Sequence, residues 1–169
     1  MPLTIRPAET ADDYLAFGHL CRAYIDWCRE RYASLPWFVE EVFGHQSFDD
    51  EQRDLPIKYG PPQGKTRLAE LDGKIVGAGA YHYLEDGVCE LKRLFVSEAA
   101  RGHGAGRRLV EALLEAARAE GYTVARLDTA KLLTEAIALY HGMGFTDRPP
   151  YLDYPDRFLP HLTFMERAL

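Results

Sequence analysis

The chain has 169 residues, of which 47% are hydrophobic and 12% aromatic; this suits one globular domain over residues 1–169 and excludes a disordered or low-complexity chain. A total of 26 Asp and Glu against 20 Lys and Arg gives a net charge of −6, which argues against nucleic-acid or anionic-membrane binding. The sequence has no apolar leader, no run near the roughly 18 apolar residues of a membrane span, and no CxxC pair among its three cysteines. We therefore expect a cytoplasmic protein without a disulfide framework or a metal site.

The spacing of apolar residues predicts a chain in which strands and helices are mixed. Thr10 and Asp13 match a capping box, and Gly121 stands where a later helix should stop. Residues 44–64 are polar and contain three prolines, and we interpret them as an ordered or mobile excursion within the domain and not as a domain linker. In chain order, the predicted elements are a strand at 3–6, a helix ending near Arg31, a helix after Pro36, strands at 66–71, 75–84 and 88–96, a helix at 104–120, a strand at 123–129, a helix ending at Gly142 or Gly144, and closing strands from Phe145 and at 161–169.

The order of these elements predicts how the strands pair. Turns at 72–74 and 86–87 join three successive strands into an antiparallel meander. A helix connects the strands at 88–96 and 123–129, so these two should be parallel. The predicted fold class is α/β, in the broader sense α+β, with a mixed, mostly antiparallel central sheet and helices on both faces.

The segment that indicates chemistry is the glycine-rich loop RGHGAG at residues 101–106, between a predicted strand and a predicted helix. Its glycines let the backbone approach a ligand closely, and the helix start presents unpaired N–H groups with a partial positive charge. A phosphate or pyrophosphate suits such a site, and the alternative is a glycine-rich turn into a surface helix. Five basic residues within 17 positions add positive charge there: Lys92, Arg93, Arg101, Arg107 and Arg108.

The loop has the pattern Arg-x-x-Gly-x-Gly, and the next predicted helix contains Ala-Leu-Tyr-x-x-x-Gly-Phe at residues 138–145. With the order of elements, these two motifs resemble the GNAT family of acetyl-CoA-dependent N-acyltransferases over nearly the whole chain. The resemblance implies that the parallel strands splay apart to admit acetyl-CoA as co-substrate, without a metal. It assigns coenzyme binding to Leu94, Phe95, Val96, Arg101, Gly102, His103, Gly104, Ala105, Gly106 and Arg107.

The resemblance also implies acetyl transfer by direct attack of a primary amine on the thioester in a ternary complex. Glu90 corresponds to the general base, acting directly or through water, and burial should raise its pKa toward the working range. Tyr140 corresponds to the acid that protonates the departing thiolate, and the Val96 N–H to the oxyanion donor, through a bulge near the end of the strand. The alternatives are an exposed Glu90 paired with Lys92 or Arg67, and a Tyr140 that only packs on the sheet.

The acceptor amine should bind between the first two helices and the strand at 75–84, where aromatic rings and a carboxylate suit a cationic or aromatic amine. The residues assigned to it are Tyr24, Trp27, Tyr81 and His82, and the alternative is that these aromatics fill the core. Two other functions stay open: a non-catalytic acyl-CoA-binding or regulatory module on the same fold, and an acetyltransferase for a protein N-terminus or lysine. The expected partner is therefore a small-molecule or peptide amine, with no nucleic acid or membrane, and an edge strand expected at 161–169 leaves a homodimer open.

Overall fold

The structure of the protein, a computed structural model, describes residues 2–169. One sheet of seven strands is combined with six α-helices in this range. In chain order, the elements are β1 (Thr4–Pro7), α1 (Ala11–Arg31), α2 (Pro36–His45), α3 (Phe48–Arg53), α4 (Leu55–Tyr59), β2 (Gly64–Leu71), β3 (Lys74–Glu85), β4 (Val88–Val96), α5 (Ala105–Ala119), β5 (Val124–Ala130), α6 (Thr134–Gly142), β6 (Thr146–Arg148) and β7 (Leu162–Ala168).

Local sequence sets the ends of several elements. The predicted capping box is present at the start of α1, where the Asp13 N–H donates to Thr10 Oγ1 and the Thr10 N–H donates to Asp13 Oδ2, both at 3.1 Å. Between β2 and β3, Asp72 and Gly73 have φ values of 51° and 75°. Two successive residues with positive φ match the twist of a tight hairpin, so the turn is closed at the predicted place.

The strand order is β1-β2-β3-β4-β5-β7-β6, and every neighbouring pair is antiparallel except β4 and β5, which are parallel. α5 packs on one face of the sheet against β2, β3 and β4, while α1 contacts β3 and β4 from the other face. The predicted fold class is confirmed, because the helix between β4 and β5 returns the chain in the same direction.

The parallel pair opens toward its carboxyl end. β4 and β5 are in register only over residues 88–90 and 124–126, and beyond these the two strands diverge. A β-bulge follows in β4, where Arg93 has a φ of 58° and the register against β3 shifts between Ala78 and Ala80. The expected splay and the expected bulge are therefore both built into the backbone beside the glycine-rich loop.

The structure decides two points that concern residues 44–64 and the last strand. Residues 44–64 contain the short helices α3 and α4, because Phe48, Leu55 and Tyr59 are buried in the core between polar neighbours. β7, expected as an edge strand for a second copy, pairs with β5 on one side and β6 on the other. The expected edge position of this strand is wrong, because the short β6 covers that edge.

The three cysteines, Cys21, Cys28 and Cys89, are all buried free thiols. Burial raises the pKa of each of them, so all three are neutral apolar side chains at pH 7. Along residues 2–169, no helix has both the length and the apolar character that crossing a membrane requires.

Candidate active site

A groove of about 460 Å³ lies between the end of β4 and the start of α5, and we call it the outer groove. Gly102 and Gly104 have φ values of 81° and 71°, a left-handed conformation that favours glycine. α5 begins at Ala105 without a capping side chain or an acidic residue in its first turn. Its first N–H groups therefore have no intrahelical partner, and with the helix dipole they make this end suitable for an anion.

Nine of the ten residues predicted to bind the coenzyme line the outer groove: Leu94, Phe95, Val96, Arg101, Gly102, Gly104, Ala105, Gly106 and Arg107. The tenth, His103, is absent from its walls; the side chain is exposed, with Nδ1 3.3 Å from the Arg101 carbonyl oxygen. The sequence thus predicts this wall of the site almost completely, because its residues are adjacent along the chain.

The concentration of positive charge at the loop is smaller than the sequence indicated. Arg101 and Arg107 are half-exposed at the outer groove. Arg108 instead donates to the carbonyl oxygen of Leu3, just before β1, at 2.6 Å. Lys92 and Arg93 project into a different cavity. Within residues 2–169, the positive groups of the groove are therefore one helix end and three guanidinium groups, of which that of Arg31 is paired with Glu135.

A narrower cavity of about 80 Å³ lies between the diverging strands β4 and β5 and the helices α1 and α2, and we call it the inner cavity. Trp27, Leu94 and Ala136 line both spaces, so the inner cavity and the outer groove meet at these residues. The walls combine aromatic rings with buried polar groups. Among the residues that line the inner cavity are Tyr24, Gln46, Lys92, Arg93, Asp128 and Tyr140.

The bulge in β4 turns two successive basic side chains to one face of the sheet. Lys92 Nζ and Arg93 Nη1 both donate to Gln46 Oε1, at 3.2 and 3.0 Å. Arg93 is buried, and its Nε donates to Glu51 Oε2 at 2.8 Å. Burial opposes ionisation of Glu51, but the charges of Arg93 and Lys58 outweigh it and lower the pKa of this carboxyl. A charged pair therefore ties α3 to the bulge.

Glu90, the predicted base, is 3% exposed, and both of its oxygens are engaged. Oε1 lies 2.8 Å from His82 Nε2, and Oε2 accepts a hydrogen bond from the Tyr151 hydroxyl at 2.7 Å. Burial opposes ionisation, yet the charge of Lys92 and the bonds to His82 and Tyr151 outweigh it and lower the pKa of Glu90. The expectation of a raised pKa is therefore wrong, as is the alternative of an exposed carboxylate, and Glu90 is not among the residues lining the inner cavity.

Asp128, which the sequence analysis did not single out, is the carboxylate that lines the inner cavity. Arg126 is the register partner of Glu90, and Asp128 lies two residues after Arg126 on the same strand. Because side chains alternate along a strand, the carboxylates of Asp128 and Glu90 lie on the same face of the sheet. Its Oδ2 accepts from the Tyr154 hydroxyl at 3.2 Å, whereas its buried Oδ1 has no hydrogen-bond partner in residues 2–169. Burial raises the pKa of Asp128, and the charge of Glu90 raises it further against the opposing charge of Lys92.

Tyr140, the predicted acid, lies in α6 with 7% of its surface exposed and lines the inner cavity. Its ring packs edge-on against Phe145 at a centroid distance of 5.7 Å. Burial and the charge of Asp128 raise the pKa of its hydroxyl, so that Tyr140 is a neutral phenol at pH 7 and can donate a proton. Tyr140 thus both packs against a neighbouring ring and lines the cavity where an acid would be needed.

The four residues predicted for the acceptor fall into two groups. Tyr24 and Trp27 line the inner cavity, and Trp27 also lines the outer groove. Tyr81 is fully buried on the opposite face under α5, where its hydroxyl donates to Glu120 at 2.7 Å. Because side chains alternate along β3, the next residue, His82, returns to the cavity face, but it contacts Glu90 and is not among the lining residues. The structure therefore does not bring Tyr81 or His82 to the cavity.

Histidines and carboxylates of this protein form pairs. His82 lies beside Glu90, and His141 Nε2 lies 2.8 Å from Asp147 Oδ1. In the part of the chain that the structure describes, no three His, Cys, Asp or Glu side chains are grouped so that they could hold a metal ion.

Sequence comparison connects this site with known proteins. Residues 22–145 match the model of the Acetyltransferase (GNAT) family, and this range includes Glu90, Asp128 and every residue that lines the two spaces except Leu162. An uncharacterised N-acetyltransferase of Schizosaccharomyces pombe is 35% identical over 122 residues, which cover 71% of this chain and 73% of that protein. An IAA acetyltransferase of Azospirillum brasilense is 41% identical over 110 residues, covering 64% of this chain and 70% of that protein.

Solved structures share the whole fold. An acetyltransferase from Streptococcus agalactiae superposes with a TM-score of 0.76 at 23% identity, over 100% of this chain and 99% of that one. PaiA N-acetyltransferase from Thermoplasma acidophilum, in complex with coenzyme A, gives a TM-score of 0.74 at 16% identity over the full length of both chains. At these identities the likeness shows the fold alone.

Proposed function

Because the chain belongs to the GNAT family of acetyltransferases, we propose that this acyltransferase moves the acetyl group of acetyl-CoA to a primary amine by direct attack in a ternary complex. The observation that carries the proposal is the junction of the two spaces at Trp27, Leu94 and Ala136. The outer groove offers a helix N-terminus for the coenzyme phosphates, and residues 94–96 of β4 offer backbone groups for the pantetheine arm. The thioester then lies where the inner cavity can present the amine.

In this proposal Tyr140 protonates the departing thiolate. The support is its place in the inner cavity, its free hydroxyl within residues 2–169, and a raised pKa that keeps the proton on the oxygen until the thiolate forms. The backbone N–H of Val96, at the end of the bulged strand, is proposed as the oxyanion donor, as the family resemblance implies. Both roles need no metal.

Replacing Tyr140 tests this assignment. We expect Tyr140→Phe to lower kcat by about 100-fold or more, the usual contribution of a positioned acid, while the Kd for CoA changes less than about threefold. Steady-state thiol release and calorimetric titration with CoA measure the two quantities. Tyr122→Phe, a change at another tyrosine that packs on the sheet, is the control and should leave both unchanged. Full turnover by Tyr140→Phe would contradict the assignment.

Glu90 takes a different part in the proposal from the one that the sequence indicated. Since its two oxygens are occupied by His82 and Tyr151, direct contact with an amine would require one of these bonds to break. We therefore propose that the ionised Glu90 acts on the amine through a second group. Burial of its charge behind the cavity wall supports this arrangement.

The acceptor is sought with a panel of probes: spermidine, tyramine, kanamycin, lysine and a short peptide with a free N-terminus. Release of CoA thiol with any small amine supports the proposal, and release with the peptide alone supports acetylation of a protein N-terminus or lysine. Binding of CoA without thiol release from any probe would support the non-catalytic acyl-CoA-binding module instead. The cytoplasmic location stays a prediction from the sequence.

A further inference from the structure

The inner cavity holds one carboxylate oxygen that nothing in residues 2–169 satisfies. Asp128 Oδ1 is buried and has no hydrogen-bond partner, although Oδ2 of the same group accepts from Tyr154. A buried carboxylate oxygen left unpaired is destabilising, because it has lost its hydrogen bonds to water and gained none in return, so its retention calls for a partner that arrives with a ligand. The partner must be a hydrogen-bond donor, because an ionised carboxylate only accepts.

The surroundings of Asp128 distinguish it from the other carboxylates at this site. Glu51 is bound by Arg93, and Glu90 by His82 and Tyr151, so neither has an oxygen to spare. Asp128 is also the only one of the three among the residues that line the inner cavity. A cationic donor entering this cavity therefore meets Asp128 first.

From this geometry we infer that Asp128 is the catalytic residue that binds the substrate ammonium group and accepts its proton. The inference rests on the proposed function and gives the second group through which Glu90 acts. The aromatic rings of Tyr24 and Trp27 line the same cavity, and their faces attract a cationic group such as a substrate ammonium. The substrate class is a primary amine, because its ammonium group is a cationic hydrogen-bond donor that a carboxylate and aromatic rings can bind.

The charges around Asp128 suit a proton acceptor. Lys92 and Arg93 face it from β4 and lower its pKa, Glu90 on β4 raises it, and Tyr154 donates a hydrogen bond to it. Tyr140 on α6 and Tyr151 are further ionisable neighbours, and both are neutral at pH 7 because burial raises the pKa of each hydroxyl. The net pKa is raised while that of Glu90 is lowered, and two nearby carboxyl groups separated in this way divide the roles of proton acceptor and fixed charge.

The proton balance of the step is complete. The ammonium group gives one proton to Asp128, and the neutral nitrogen forms a C–N bond to the thioester carbonyl carbon. As the C–S bond breaks, Tyr140 gives its proton to the sulfur and regains one from the nitrogen, which becomes the amide N–H. Asp128 then releases its proton to water, so that one ammonium and one thioester yield one amide, one thiol and one free proton.

Asp128→Asn tests the inference, because asparagine keeps the shape and can still accept the Tyr154 hydrogen bond. With the panel amine that wild-type protein acetylates best, we expect kcat/KM at pH 7 to fall about 100-fold or more, with the Kd for CoA changed less than about threefold. The pH profile should change as well. Wild-type kcat/KM should level off below the pKa of the amine, whereas the variant should rise tenfold per pH unit up to that pKa, because only the neutral amine then reacts.

Glu90→Gln and Asp153→Asn complete the experiment. We call the fall of wild-type kcat/KM at low pH, where Asp128 becomes protonated, the acid limb of the profile. Removing the charge of Glu90 should shift this acid limb to lower pH without abolishing it, because Glu90 raises the pKa of Asp128. Asp153→Asn, at an exposed aspartate, is the matched control and should match wild type. Loss of the acid limb in Glu90→Gln, with a normal profile in Asp128→Asn, would overturn the inference and leave the proposed function standing.

Two further outcomes are informative. If Asp128→Asn does not fold, the Glu90→Gln profile tests the inference instead. An acid limb at the same pH as in wild type would contradict a proton acceptor beside Glu90. If wild-type protein binds CoA but acetylates none of the probes, the proposed function and the inference both fail.

Discussion

Asp13 shows how one side chain can fix a junction between elements. Its carboxylate caps α1 through the Thr10 N–H, accepts from the Glu9 N–H at 2.9 Å, and accepts from Arg6 Nη2 of β1 at 2.8 Å. The bond and charge of Arg6, with the two backbone donors, lower the pKa of Asp13. The first strand and first helix are thus held together by one ionised group.

The lowered pKa makes this contribution dependent on pH. A carboxyl whose pKa is lower in the folded state stabilises above its unfolded value of about 3.9 and loses that effect as pH falls. We expect Asp13→Asn to cost about 1–2 kcal/mol at pH 7, as loss of a cap usually does, and the difference from wild type to shrink below about pH 4. Urea unfolding at several pH values measures it, with exposed Asp12→Asn as the control. A difference that stays constant down to pH 2 would contradict the role of the charge.

Among the elements, the short helices α3 and α4 connect the surface to the bulge of β4. Glu51 of α3 accepts from Arg93 at the bulge, from Lys58 of α4 at 3.1 Å and from the Tyr59 hydroxyl at 2.7 Å. Arg93 is also stacked near the rings of Phe43 and Phe48, at 5.3 and 5.1 Å. The positive φ of Arg93 is therefore maintained by contacts from outside its own strand.

Breaking the Glu51–Arg93 pair should be costly, because it leaves a buried guanidinium without its counter-charge. We expect Glu51→Gln to destabilise the protein by about 3 kcal/mol or more. Asp50→Asn, which removes one partner of the exposed Asp50–Arg53 pair of the same helix, should change stability by less than about 1 kcal/mol. Chemical denaturation compares the two variants. Equal effects would show that burial of the Glu51 pair does not matter.

On the scale of the whole molecule, the net charge of −6 hides two separate positive regions. Arg101 and Arg107 flank the start of α5 at the outer groove, whereas Lys92 and Arg93 offset carboxylates inside the protein. A ligand that fills the groove should therefore bind the folded state only, since the loop and the strand end meet through folding. Such binding stabilises the fold.

Coenzyme binding should thus be visible in the melting temperature. At a CoA concentration about 100 times its Kd, the expected stabilisation of about 2.7 kcal/mol corresponds to a rise in Tm of about 5–10 °C for a chain of this size. Differential scanning fluorimetry with CoA measures the shift, and adenosine, which lacks phosphates, serves as the control. No shift with CoA at saturating concentration would contradict the assignment of the groove.

The sequence by itself determined the fold class, the order of the elements and the outer groove. These depend on apolar periodicity, on turn and cap residues, and on residues 94–96 and 101–107, which are close along the chain and supply nine of the residues that line the groove. It also identified Tyr140, Tyr24 and Trp27, which the structure brings to the inner cavity. Local signals were sufficient for these features because the residues that interact are close in sequence or follow a regular period.

Only the tertiary structure decided the chemistry of the inner cavity. The pKa of Glu90 is lowered by the charge of Lys92 on the same strand and by hydrogen bonds from His82 and from Tyr151, which is 61 positions away. Asp128 is left with a free oxygen because Tyr154 satisfies only the other one. The sequence offered a weak signal for Asp128, an acidic residue in phase with Arg126 in an alternating strand, but no indication of which carboxylate would be occupied. The ionisation of a buried carboxyl depends on all of its partners, and folding brings some of these from distant parts of the chain that one strand's sequence does not contain.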